Sequence, residues 1–182
     1  MAPTPRATPE RVEKAVYALL VAELAAALDV VEATWTAESD PLSLGDVVTW
    51  LRGYSPTVME REKAEFPIIT VWSNRQEGLT GVQERTSQWG HQQARYPVLI
   101  NWFVAADTEA ECNTMSKRFG EAIQAVLDAH ERIAAGLMNR SYAPEIELSL
   151  VTRELPEVGG TLSGDVFYTQ MGQLTVIIEG AV

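Results

Sequence analysis

The stretch from Tyr96 to His130, YPVLINWFVAADTEAECNTMSKRFGEAIQAVLDAH, constrains the fold more than any other part of the chain. Its first half carries Val98, Ile100, Trp102, Phe103 and Val104, a run of β-branched and aromatic residues too apolar for an exposed loop, so it reads as a strand. At Asp107-Thr108 the pattern changes. Thr108 followed by Glu111 is a capping box, in which the hydroxyl takes a free backbone N–H and the carboxylate reaches back to the cap. Beyond it, Met115, Phe119, Ala122, Ile123, Val126, Leu127 and His130 recur every three or four residues and lay one apolar stripe along a long helix. Lys117, Arg118, Glu121, Gln124 and Asp128 make the opposite, wet face. A helix with one dry side must rest on something, most simply the sheet that the preceding strand joins.

The flanks supply the rest of that sheet. Residues 1–7, MAPTPRA, contain two prolines and little to bury, and read as a flexible arm ahead of a single domain over 8–182. Thr8-Pro9-Glu10 starts a helix, with Val12, Val16, Leu19, Leu20, Leu24, Ala27 and Leu28 as its stripe and an end near Asp29. Residues 29–35 then suggest a short strand or extended connector, with continuation of the helix as the alternative. Residues 44–51 suggest a short helix capped by Asp46 and closed by Gly53. Phe66 to Trp72 is a strand, with Pro67 tolerated at its start or on an edge. Residues 133–139 end the helical region at a glycine. Glu145 to Leu155 alternates as a strand with Ile146, Leu148 and Leu150 inward. Pro156 to Gly164 is a turn or loop, and Val166 to Ile178 a last strand bent at Gly172. The expected class is α+β: a mainly antiparallel sheet of about four strands covered by the long central helix and the N-terminal helix.

One long polar segment does not fit inside that body. Residues 74–95, NRQEGLTGVQERTSQWGHQQAR, lie between two strong strands and read as a projecting loop or hairpin arm, whose use is at a partner surface. Glu77, Leu79, Val82, Trp89 and His91 are its candidate subunit-interface residues, the isolated indole of Trp89 gaining most from docking on a neighbour.

Chemistry finds little support. The formal charge of −11 disfavours polyphosphate and anionic lipid, so a sequence-specific DNA binder is a poor reading, while a passage whose walls do not hold DNA remains compatible. Residues 15–31 look faintly like an export signal, but Glu23 interrupts them and a proline-rich leader precedes them. No apolar run approaches the roughly 20 residues needed to span a bilayer. Cys112, the single cysteine, cannot form an internal disulfide, and cytoplasmic folding is the default. Its place in the first helical turn favours a thiolate, against the plainer reading that it packs. His130 suits the carbonyls at a helix end, and His91 lies free in the polar arm. With one cysteine and two distant histidines no metal set is expected, and no cofactor fingerprint or catalytic constellation is present, so the expectation is a protein that is not an enzyme.

Taken together, FPIITVW at a strand start, a polar arm, YPVLINWFVAADTEAE running into a helix with AIQAVLDA, and a closing QLTVIIEG resemble the tail terminator and neck (head-tail joining) proteins of long-tailed bacteriophages, over residues 60–180. The resemblance implies a virion subunit, assembled in the host cytoplasm as a homohexameric ring. That ring would cap the tail tube and join it to the head connector, with DNA passing through its lumen. The long N-terminal portion and the arm depart from the family's pattern and leave a head-completion adaptor or tail-tube-like subunit as alternatives. A small-molecule-binding or catalytic domain using Cys112 or His91 is the alternative from another class.

Overall fold

A computed structural model of the protein describes residues 7–53, 62–73, 93–141, 144–154, 157–158, 161–162 and 166–181. The class is α+β, with two helices on one face of a curled sheet. Helix α1 (Pro9–Ala37) starts on Thr8, whose side chain accepts from the Arg11 N–H, with Pro9 inside the first turn. It buries Val12, Val16, Leu20, Leu24, Leu28 and Val31. Each step of four residues overshoots a full turn by about 40°, so the stripe winds around the helix, and half-buried Ala15, Leu19 and Ala27 fill its flank.

Helix α1 runs past the expected end at Asp29. The β-branched pair Val30-Val31 suggested an extended segment, but burial of Val31 and packing of Trp35 outweigh a propensity difference of a few tenths of a kcal/mol. The helix closes on a Schellman motif: Ser39 N–H bonds Thr36 O at 3.1 Å, Asp40 N–H bonds Trp35 O at 2.9 Å, and Ser39 takes φ +66°. The expected helix over 44–51 is extended instead and becomes strand β1 (Thr49–Arg52), closed by Gly53 at φ +87°. A single 3₁₀ turn at Lys63–Glu65 precedes β2 (Ile68–Ser73).

Strand β3 (Gln93–Ala106) absorbs residues 93–95 of the expected arm, and α2 (Glu109–Asp128) follows on the Thr108 cap. Thr108 Oγ1 accepts from Glu111 N–H at 3.2 Å, and its hydroxyl donates to the Glu111 carboxylate at 3.0 Å. The expected helical tail at 133–139 is a hairpin, β4 (Arg132–Ala134) and β5 (Leu137–Asn139), because Gly136 at φ +74° turns the chain back. The expected strand over 145–155 is broken into β6 (Glu147–Leu148) and β7 (Thr152–Glu154). Strands β8 (Glu157–Val158) and β9 (Thr161–Leu162) pair within the expected loop, and β10 (Phe167–Ala181) ends the described chain.

The expected sheet of about four antiparallel strands is thus an eight-stranded mixed one, in the order β1-β2-β3-β10-β5-β4 with β6 and β7 also on β10. Strand β1 joins β2 in parallel. Strand β10 is the hub: it pairs with β3 from Tyr168↔Ala106 to Ala181↔Gln93, and its other side takes β7, β6 and β5 in turn. Helix α1 lies over β1, β2 and β3, and α2 over β3 and β10. The N-terminal boundary shifts by one residue, since Ala7 is buried and its carbonyl accepts from Tyr96 Oη at 2.9 Å.

Trp102 is the centre of the core. Its Nε1–H donates to Ser116 O at 2.8 Å on α2, which ties helix to sheet. The indole lies between two glycines: a Cβ on Gly172 would come within 2.0 Å of it, and one on Gly120 within 3.0 Å. Gly172, directly across from Trp102 in the ladder, therefore makes room for the ring, and the pairing register runs through it unbroken.

Candidate interaction surface

Among the described residues the thiol of Cys112 and the imidazole of His130 are turned inward or tied up. Cys112 is fully buried, its thiol directed at Tyr168 O at 3.4 Å, and burial pushes its pKa up from 9.0 to about 11. The helix N-terminus cannot favour a thiolate when desolvation opposes it more strongly. His130 follows the last turn of α2 and its Nδ1 donates to Val126 O at 2.9 Å, as a helix-end imidazole should. Glu109, Glu121, Asp128 and Glu131 are exposed, and Glu121 accepts from Trp35 Nε1 at 3.0 Å. Among the described residues no three His, Cys, Asp or Glu side chains group as metal ligands, and no helix is long and apolar enough to cross a membrane. The expected interface residues Glu77, Leu79, Val82, Trp89 and His91 lie outside the described residues.

Arg118 corrects the expected wet face of α2. It is 2% exposed, pairs with Asp40 through one terminal nitrogen at 2.6 Å, and lies 4.7 Å from the Trp35 ring. The Schellman turn places Asp40 for this pair and the length of α1 places Trp35. Sequence periodicity could not find it, because the partners come from the end of another helix.

Where β6 gives way to β7, the sheet has an irregular step. Ser149 N–H bonds Met171 O at 2.9 Å, but Met171 N–H is taken by the Ser149 hydroxyl at 3.1 Å, and Ser149 O turns to accept from Gln170 Nε2 at 2.8 Å. A hydroxyl thus replaces a backbone group in the ladder, the strand bulges, and Leu150 is thrown outward to 90% exposure. The expectation that Leu150 is buried fails for this reason. Between the bulge and the first turns of α2 opens a cleft of about 540 Å³, with Glu109, Ala110 and Asn113 on one wall and Leu148, Leu150 and Val151 on the other. Gln170 also lines it, 4% exposed, with Oε1 lacking any donor. The Ser149 carbonyl fixes which end of the amide is nitrogen, so the vacant group is an acceptor.

The opposite edge of the sheet is β1. Val48, just before it, is 57% exposed, and Arg52 at its end is exposed. Among the described residues the sheet has three outer margins, β1, β4 and the β6–β7 segment, and the first and last each carry a solvent-facing aliphatic side chain. Sequence reasoning missed the cleft, since Ser149 and Gln170 give no signal apart from their places in the ladder. No protein-family profile matches this chain, and no curated protein matches it in sequence.

Proposed function

We propose that this protein is a structural subunit of the head-tail junction of a long-tailed bacteriophage, a tail terminator whose copies form a ring on the end of the tail tube. The single observation that carries the ring is the pair of unlike sheet edges, β1 with Val48 and the β6–β7 step with Leu150. A closed ring needs two different patches on each subunit, and an exposed aliphatic group of 90% accessibility gains most by being covered. The strand-to-helix passage capped by Thr108, which carries the resemblance to that family, supports the finer assignment. So does the charge of −11, which suits a lumen that passes DNA without holding it. The burial of Cys112 favours work through contacts over work through a thiolate.

The test is a native mass in solution, followed by addition of the protein to polymerising tail-tube subunits from the same virus. A discrete ring that shortens the tubes is the expected outcome. A protein that stays monomeric at millimolar concentration, and leaves tube length unchanged, refutes the reading.

A further inference from the structure

We infer that the cleft at the start of α2 is the seat for the β1 rim, residues 48–52, of a second copy of this chain; the inference rests on the ring reading and names its interface.

The walls of the cleft specify its occupant. Among the described residues they bring one carboxylate, Glu109, and no cation, so a positive group is favoured. The lip is Leu150 and Val151, which asks for an aliphatic side chain. The β6–β7 segment pairs with β10 on one side only, so among the described residues its outward backbone groups are open to another extended segment.

The β1 rim has these properties in one short extended piece. Among the described residues it pairs with β2 alone, it begins beside exposed Val48, and it ends in exposed Arg52. Its helix-side residues match as well: Trp50 meets Tyr17 of α1 edge-on at 5.9 Å, and the Arg52 guanidinium lies 6.0 Å from the same ring. Gln170 also lies on the helix side of its sheet, in the row with Val104. When the β1 edge of one copy abuts the β6–β7 edge of the next in one layer, Val48 comes to Leu150 and Arg52 to Glu109. The contact joins two different surfaces, so each copy keeps one of each free and the arrangement repeats around a ring.

The experiment uses the full chain and a short bis-maleimide cross-linker on Val48→Cys, Leu150→Cys and the double variant; Cys112 is buried and stays silent. The two exposed positions leave the fold untouched. The expected result is no cross-link in either single variant, a dimer when the two are mixed, and a ladder ending at the ring number in the double variant. Glu109→Arg and Arg52→Glu should each weaken association at least tenfold, and the two swaps together should restore it. A ring of normal mass without the mixed cross-link, or with Val48→Cys joined to itself, overturns this seat and leaves the ring standing. A chain that is monomeric throughout overturns both. Binding of the cleft to tail-tube protein in place of a second copy, read as protection of Leu150→Cys from maleimide only when tube subunits are present, also overturns it.

Discussion

The two faces of the sheet are built from the same strands and behave differently. On the helix side Ile69, Val71, Val98, Ile100, Trp102, Val104, Leu174, Val176 and Ile178 are all buried in one continuous core with α1 and α2. On the other side the apolar part is a small separate cluster of Phe66, Ile68, Phe103 and Phe167. One ladder row further it turns polar, where Asn101 Nδ2 donates to Thr70 Oγ1 at 3.1 Å and Asn101 Oδ1 has no partner. By the next row it reaches exposed Thr175. A strand alternates by geometry, but only a covering layer decides whether both sets of side chains are dry. Stability should therefore be concentrated on the helix side.

The sharpest way to break this comparison is at Gly172. Gly172→Ala drives a methyl group into the Trp102 ring and should destabilise the protein by about 3 kcal/mol or more, read from urea unfolding. In a Trp102→Ala background the same change should cost far less, because the ring it strikes is gone. Equal costs in both backgrounds would mean that the glycine is needed for something else.

Ile68 and Ile69 compare the faces directly, being adjacent, both fully buried, and directed to opposite sides. Ile69→Ala is expected to cost about 4 kcal/mol and Ile68→Ala about 2 kcal/mol, since a small cluster at the edge of solvent collapses around a cavity more readily than a core held by two helices. The reverse order would show that the far cluster is the better packed. For the polar row, Thr70→Val with Asn101→Val should change stability by no more than about 1 kcal/mol, while Thr70→Val alone leaves the Asn101 amide without its acceptor and should be the worse variant.

The last effect has no pH dependence around neutrality. Cys112 holds its proton in the folded state to about 11 against 9.0 when exposed, so the folded chain binds more protons than the unfolded one between those values. Its contribution is complete below about pH 9 and declines as pH rises toward 11. The unfolding midpoint of Cys112→Ala, compared with the parent at pH 7 and pH 10.5, should show a flatter alkaline slope.

What the sequence made legible follows from range. The Thr8 and Thr108 caps, the stripes of both helices and the strands around Ile69 and Ile100 are written in residues within a turn or two of each other, and all are present. The packing that carries α1 on to Trp35, the outward throw of Leu150 and the burial of Arg118 depend on distant chain, and none could be read locally. The cleft belongs to the second kind, since Ser149 and Gln170 matter only through the bulge they share.

Strand β10 also sets the order in which the chain comes together. Trp102 emerges long before Gly172, the residue it faces, so β3, which has β2 on one side, must wait for its second partner while β4 to β9 intervene. Pairings this remote in sequence close slowly, because the entropy of the intervening loop is lost before any contact rewards it. Until then the apolar flank of β3 is bare, and any chain cut short ahead of Phe167 lacks the member that joins β3 to β5, β6 and β7. Such a fragment cannot form the β6–β7 step or the cleft beside it, because both are laid out along the strand that it lacks.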